Sequence, residues 1–509
     1  MKTWPKNTNL FLFLVSVTLA VETFFITGNV QLNLSDEGFF WYGVERVLRG
    51  EIPILDFRSY DPARYYWSAF GLKILGVGLI ELRITETLVQ MIGLFIGLWV
   101  ASRIFINRWI LAILGLLLTL WMFPGYRYFD VIQPLVPIAV GILLLEKPSF
   151  STHFISGIIV GFAGCMGRNH GLYQMVSLFA LVIWSCWENR VHWLLFFKNM
   201  CIWILGILTG YSPMIGLMIS VKGFFEQFLE LMVKRGTTNI FLPIPWPWKI
   251  PVLGSLEFFQ LRISEFVFGL LLVALPIIYL CWIILYFKGK NRTSLRKILL
   301  VCAVVGIPYI HYVYSRADYA HLAVGIMPFL IGFTLWGFEL PTFKIGPLLL
   351  LVLLSFLSVA YRSGFYNYLQ SDIYYPIKYP IRGEVIGLDP FTARVISCSK
   401  MVIGNLKPGE SFLAFPHLTS LYPVLDLKSP TWEIYSLFSF GEKEQKRLIE
   451  EVEGNNVQWG MIDDEALDGR EELRLENFQP IFWNYLKKNY LFFRAPYLPE
   501  DYFVIEKRK

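Results

Sequence analysis

The feature that most constrains this chain is a succession of long apolar runs that starts near residue 9 and ends near residue 362. A bilayer core about 30 Å thick requires about 20 mostly apolar residues for a helix to cross it. About eleven runs meet that requirement, some only by borrowing interfacial residues. Their limits are 9 to 28, 84 to 101, 109 to 124, 130 to 145, 152 to 167, 170 to 187, 199 to 221, 265 to 287, 298 to 313, 321 to 339 and 345 to 362. Hydrocarbon offers no solvent partner to backbone groups, so such runs fold as helices. The composition agrees, with 17% charged and 55% hydrophobic residues. Aromatic residues reach 17%, and many stand at the ends of apolar runs, where amphipathic rings favour the headgroup layer. The first run is long for a signal-peptide core and lacks a small-x-small cleavage site, so it reads as a retained first helix.

Residues 65 to 80 form a twelfth candidate, with Lys73 at the middle and Gly71, Gly76 and Gly78 inside. Loop charge decides whether it crosses, because short cytoplasmic loops carry the excess of Lys and Arg. The clearest basic loop is KGKNRTSLRK, residues 288 to 297. Placing it and the N-terminus inside is consistent only if residues 65 to 80 lie along the outer surface as an interfacial helix. Residues 29 to 83 and 222 to 264 then become outer loops, and the tail is extracytoplasmic. The net charge of +6 is spread over loops between apolar runs, which reads as membrane orientation and not as a nucleic-acid surface. Five of the six cysteines lie in or beside apolar runs, leaving no disulfide framework or zinc motif.

The expected organisation is therefore a transmembrane domain over residues 1–363 and an extracytoplasmic α/β domain over residues 364–509. In the tail, SFLAFP, QWGMIDD and DYFVIEK read as strands, and GEKEQKRLIEEVEG and IFWNYLKKNY as helices.

The first outer loop opens with a candidate helix from Asp36 to Arg49, with Phe40, Val44, Val47 and Leu48 on one face. Lying in the interface, it would hold Asp36 and Glu37 just above the membrane, at the level of a lipid phosphate. The plainer reading is that Ser35 caps the helix and the two acids complement its dipole. DPARYYW reads equally as a Pro-initiated helix with aromatic anchors. What favours a site is that polar residues at the mouths of apolar helices gather on one side. Asp36, Glu37, Asp61, Arg64, Arg127, Asp130, Arg168, Asn169, His170, Arg316, Asp318 and His321 all fall outside. Polar groups at membrane depth more often line a cavity than face lipid.

On these residues the chain resembles the GT-C superfamily of lipid-linked-sugar glycosyltransferases, in particular the branch similar to protein O-mannosyltransferases and aminoarabinose transferases. The resemblance rests on the acidic pair after the first span, on the spacing of Gly50, Pro53 and Asp56, and on the DPARYYW helix opening. It extends to RNHGLY, SRADYAHL and the tail motif FPHLTSLYPVLDLKSPT. Asp61 stands where the family often has proline, and Asn169 where it often has an acid.

The resemblance implies a GT-C-like membrane domain and an inverting transfer of sugar from a polyprenyl-phosphate donor to an acceptor hydroxyl. Asp36 matches the catalytic acid and would act as general base, with Glu37 orienting either the acceptor or Asp36. The departing phosphate needs cations. Arg316 is the first choice, then Arg64 and Arg168, while His170, Asp318 and His321 would help bind phosphate or sugar. Tyr60, Asp61, Arg127 and Asp130 would face the acceptor or support these groups. Some family members use a divalent metal and others do not, and Asp36, Asp61 and His321 could supply ligands. The partners expected are membrane lipid, the lipid-linked sugar and an acceptor glycan, lipid or protein, but no nucleic acid. The place expected is the plasma (inner) membrane. Lys234 and Arg235, in the second outer loop, could approach the phosphate, although that loop also reads as an interfacial anchor. A transporter or flippase of lipid-linked sugars is the alternative, but paired broken helices of the kind transporters carry are not evident.

Overall fold

The computed structural model describes residues 7–104, 107–123, 128–235, 241–250, 259–289, 292–337, 346–437, 439–495 and 497–509. The chain divides into two compact units. One comprises Met1–Ile26, Arg83–Gly216 and Phe241–Leu369, and the other Thr27–Leu82, Leu217–Ile240 and Gln370–Lys509. Of the segments read from the sequence as outer loops, 29 to 83 and 222 to 264, the first up to Leu82 and the second up to residue 240 share a unit with the tail, while the second from Phe241 onward belongs to the other unit.

The first unit is helical. Among the described residues, six helices are long and apolar enough to cross a membrane: Thr8–Thr27, Leu79–Ser102, Tyr128–Glu146, Trp193–Ser220, Leu261–Lys288 and Ser294–Ser315. A bent pair, Tyr319–Gly325 and Met327–Gly337, counts as a seventh if it is one span, and Arg108–Trp121, Phe150–Met166 and Gly346–Val359 are shorter apolar helices. Eleven crossings would need the bent pair, the three shorter helices and helix Arg168–Glu188 to serve as well. The run expected as one continuous span over 321 to 339 is instead bent by 53°. Pro328 explains the break, because it has no N–H to offer the carbonyl of Val324 and its ring crowds that carbonyl. At one end of the unit Arg292 pairs with Glu188 at 2.6 Å, tying the basic loop to the end of helix Arg168–Glu188.

Helices Phe150–Met166 and Trp193–Ser220 meet backbone to backbone. A Cβ on Gly157 would lie 2.1 Å from the carbonyl oxygen of Trp203, and one on Gly161 2.2 Å from that of Ile207. Reciprocally, a Cβ on Gly206 would lie 2.3 Å from the oxygen of Phe154, and one on Gly210 2.1 Å from that of Ile158. Each helix thus presents a small-xxx-small pair to the other. Among lipid-soluble helices this close packing replaces the hydrophobic drive that water would supply.

The second unit contains a four-stranded sheet of β3 (Ser411–Phe415), β4 (Val457–Asp463), β5 (Tyr490–Arg494) and β6 (Tyr502–Lys507), preceded by a hairpin of β1 (Ile377–Ile381) and β2 (Glu384–Leu388). Strand order is β3-β4-β6-β5, with β3 and β4 parallel and the other pairs antiparallel. Helices Glu442–Gly454 and Pro480–Asn489 cover it over a core of Leu413, Phe415, Val457, Phe482, Leu486 and Ile505. The three strands and two helices read from the sequence are all present. Strand β5 was missed because it follows its helix directly, with no turn residue between. Residues after the first span join the same unit through the backbone. Gln31 donates to the carbonyl of Gly387 at 2.7 Å, and Gly387 to that of Asn29 at 2.8 Å.

Helix Ala63–Leu75 has 13 residues, about 20 Å at ~1.5 Å per residue, which is short of a bilayer core. It stops at Gly76, whose φ of 118° lies outside the helical region. The next helix, Leu79–Ser102, is capped from the hairpin: Glu384 accepts the N–H groups of Leu79 at 2.9 Å and Ile80 at 3.0 Å. Burial, then the neighbouring Glu81 carboxyl, pushes the Glu384 carboxyl up to about 7 despite those two donors.

Two outcomes follow. Gly210→Ala should lower the thermal midpoint in detergent, by roughly 1–3 kcal/mol of overpacking. Gly216→Ala in the same helix, where a Cβ meets nothing within 4 Å, should be neutral or mildly stabilising; equal effects at both sites would refute the close contact. The native Glu384 carboxyl holds its proton to higher pH than the unfolded chain, so unfolding releases a proton between pH 4.5 and about 7. Stability is greatest below that window and falls as pH rises through it. Asp464, pushed up from 3.8 to about 6 chiefly by burial, acts in the same direction. Melting curves across the window should therefore slope downward with pH, and Glu384→Gln should flatten without abolishing the slope.

Candidate functional site

Helix Asp36–Leu48 begins inside a clasp made by the tail. Asn33 Oδ1 accepts the N–H groups of Ser35 at 3.0 Å and Asp36 at 2.8 Å. Glu37 returns a carboxylate oxygen to the N–H of Asn33 at 3.2 Å. Asn33, and not Ser35, therefore closes the first turn, which corrects the expectation that Ser35 caps the helix. The hydroxyl of Ser35 donates instead to the carbonyl of His417 at 2.9 Å. Thr419 donates to the carbonyl of Ser35 at 2.6 Å, and Ser420 to that of Asn33 at 2.8 Å. Gly38 permits this approach, because a Cβ there would fall 2.2 Å from the backbone nitrogen of Ser420.

A helix lying in the headgroup layer would bury one stripe, but every residue from Glu37 to Arg46 is buried. Even the polar side is enclosed: Glu45 pairs with Arg382 and Arg46 with Glu51. The expectation of an interfacial amphipathic helix is replaced by a helix packed into its own unit.

Asp36 itself accepts a hydrogen bond from the hydroxyl of Tyr435, 3.0 Å from Oδ1. The Tyr435 ring lies 5.3 Å from Phe39, and Phe39 lies edge-on to Tyr60 at 5.0 Å. The Arg64 guanidinium stands over the Tyr60 ring at 4.9 Å, a cation–π contact. Arg64 and Asp61 are both buried, and Tyr60 is fixed by its N–H donating to the Tyr65 hydroxyl at 3.0 Å. Asp36, Glu37, Tyr60, Asp61 and Arg64 thus share one unit, and aromatic rings link Asp36 to Arg64.

Asp130, His170, Arg316, Asp318 and His321 belong to the helical unit and form a second network. His170 Nε2 meets Asp130 Oδ1 at 3.1 Å, and its Nδ1 meets the Tyr309 hydroxyl at 3.1 Å. Tyr312 packs against His170 at 5.7 Å and against His321 at 4.7 Å. Asp318 accepts both the N–H of His321 at 2.9 Å and its Nδ1 at 2.7 Å, while Arg316 Nε donates to the other carboxylate oxygen at 2.7 Å. Asp318 caps helix Tyr319–Gly325. Arg168 is the first residue of helix Arg168–Glu188. Arg127 lies outside the described residues, as do the side chains of Lys234 and Arg235.

Among the described residues no group of three or more His, Cys, Asp or Glu side chains is placed to hold a metal ion. Asp36 and Asp61 are in one unit and His321 in the other, so the ligand set suggested from the sequence does not assemble within either.

The sequence reading did not single out Tyr309, Tyr312, Tyr435 or His417. His417 is buried, its Nδ1 stands 3.4 Å from Asp463 Oδ2, and its Nε2 finds no partner among the described residues. The only signal for it was its place in FPHLTSLYP, and a lone histidine beside a strand points to nothing by itself.

No family model matches this sequence, and no curated protein matches it. Solved structures do. The chain is similar to ArnT from Cupriavidus metallidurans bound to undecaprenyl phosphate, with 13% identity, 98% of each chain covered and a TM-score of 0.55. The apo form of that protein matches at 12% identity, 97% of each chain and a TM-score of 0.54. The apo oligosaccharyltransferase from Archaeoglobus fulgidus matches at 10% identity over 98% of this chain and 74% of that one, with a TM-score of 0.51. At such identities the likeness speaks for the fold. The chain shares the fold of ArnT, and its long apolar helices are those of a multi-pass membrane protein.

Proposed function

We propose that this protein is an inverting glycosyltransferase that moves a sugar from a polyprenyl-phosphate carrier to an acceptor hydroxyl at the outer face of the membrane. The observation that carries the reading is the match of nearly the whole chain to a transferase fold whose solved example holds undecaprenyl phosphate.

In this reading Asp36 takes the proton of the acceptor hydroxyl while the acceptor oxygen bonds to the anomeric carbon. The bond from that carbon to the phosphate oxygen breaks on the opposite side, which inverts the anomeric centre. The carrier phosphate leaves with the electron pair. A hydroxyl is too weak a nucleophile to do this without a base within hydrogen-bond reach. The leaving phosphate gains negative charge, for which Arg316, Arg64 and Arg168 are the proposed partners. Glu37, bonded to the N–H of Asn33, fits orientation of Asp36 better than contact with the acceptor. His170, Asp130, Asp318 and His321 would hold phosphate or sugar, with the pairs His170–Asp130 and His321–Asp318 fixing each imidazole's orientation. Asp61 and Tyr60 belong to the acceptor side.

The proposed placement has residues 288 to 297 cytoplasmic and the tail extracytoplasmic in the plasma membrane, following the positive-inside rule.

The test is transfer from radiolabelled polyprenyl-phosphate sugars to candidate glycan, lipid and protein acceptors by the purified protein. Wild type should transfer, and Asp36→Asn should lose roughly 10²- to 10⁴-fold in rate, the worth of a general base. Undiminished transfer by the variant would remove Asp36 from the role. Donor carried across proteoliposomes with no product formed would point to a flippase.

A further inference from the structure

We propose that Tyr435, in the C-terminal segment, is a positioning residue for Asp36, so that the tail is part of the catalytic apparatus and not a separate appendage. The inference rests on the assignment of Asp36 as general base.

An aspartate on the first turn of a helix swings about two side-chain bonds unless something holds it. Here the holder is a phenol donated from 399 residues away in the chain, 3.0 Å from Oδ1. A neutral donor on a carboxylate oxygen fixes orientation without neutralising the charge. Oδ1 is then the anchored oxygen.

The phenol is itself held, which a merely space-filling tyrosine would not require. Tyr435 is buried, with its ring against Phe39 on one side and edge-on to His417 at 6.0 Å on the other. Its N–H donates to Glu433 Oε1 at 3.0 Å. Arg58 Nη1 donates both to the Tyr435 carbonyl and to the Glu433 carboxylate, and the Arg58 and Glu433 side chains are 4% and 7% exposed. A buried ion pair contributes little net stability but fixes geometry when every partner is met. Beside it, the Trp432 indole N–H lies 3.1 Å from the carbonyls of Ile54 and Leu55. Two stretches of the first outer loop, around residues 36 and 58, are thus clamped onto one turn of the tail. The ionisable groups near this contact are Glu37 on the same helix, Arg58 from the loop, and Glu433, His417 and Asp463 from the tail.

The experiment compares wild type, Tyr435→Phe, Asp36→Asn, the double variant and Trp432→Phe, all as full-length protein, on a donor and acceptor that wild type uses. Tyr435→Phe keeps the ring and removes only the donor. It should lower kcat roughly 10- to 100-fold, as a misplaced catalytic group does, with little change in KM for the donor. In the Asp36→Asn background the same change should have no further effect on rate, since the two residues act as a unit. Trp432→Phe should lower the melting temperature without the fall in kcat. Wild-type transfer that Asp36→Asn abolishes but Tyr435→Phe leaves unchanged in rate would overturn this inference alone. Absence of transfer by wild type under every donor would sink the glycosyltransferase reading, and this inference with it.

Discussion

The clasp around residues 33 to 36 is the constraint on which the second unit depends. Five backbone or side-chain hydrogen bonds from Ser35, Thr419, Ser420 and Tyr435 join the start of helix Asp36–Leu48 to the tail. Each replaces water at a partly buried backbone carbonyl or carboxylate, a net gain of about 0.5–1.5 kcal/mol per bond. Because all five converge on four residues, the acidic pair is held in one place, and the helix behind it can bury Glu45 and Arg46 against specific partners. The tail and residues 27–82 thereby form one packed unit.

The helical unit solves a different problem. Its helices cannot gain from expelling water, so they gain from contact and from polar pairs that have no better partner in lipid. The four glycines between Phe150–Met166 and Trp193–Ser220 serve the first end. The chain of contacts from Asp130 through His170, Tyr309 and Tyr312 to His321, Asp318 and Arg316 serves the second. In that chain the acids satisfy imidazole or guanidinium nitrogens and aromatic rings fill the space between.

Much of this was legible beforehand. The apolar runs announced helices in a membrane, and the alternation in SFLAFP, QWGMIDD and DYFVIEK announced a small sheet, because periodicity reports which faces are buried. The acidic pair, Arg64, His170, Arg316, Asp318 and His321 were named from their places at the ends of apolar runs. The illegible parts share one cause. Pro328 bends a run that hydropathy reads as continuous, because an apolar average is blind to a missing N–H. Ser35 reads as a cap by type, yet Asn33 takes the task because the Ser35 hydroxyl has a carbonyl of the tail to reach. Amphipathic spacing suggested an interfacial helix, and burial on every side overrode it once Arg382 and Glu51 supplied partners for the polar face.

By itself the sequence determined that the chain lives in a membrane, where its helices fall to within a few residues, which acids and bases stand at helix mouths, and that a sheet-bearing tail follows. These are local properties, fixed by hydrophobicity, period and residue type. Only the tertiary structure decided that the tail folds with the first outer loop, that Tyr435 reaches Asp36, and that His170 and His321 belong to one network. Such contacts join residues up to hundreds of positions apart, and no local preference records which of many buried donors will meet a given carboxylate. That choice is made by packing, when each buried polar group must find a partner within the space the fold leaves it.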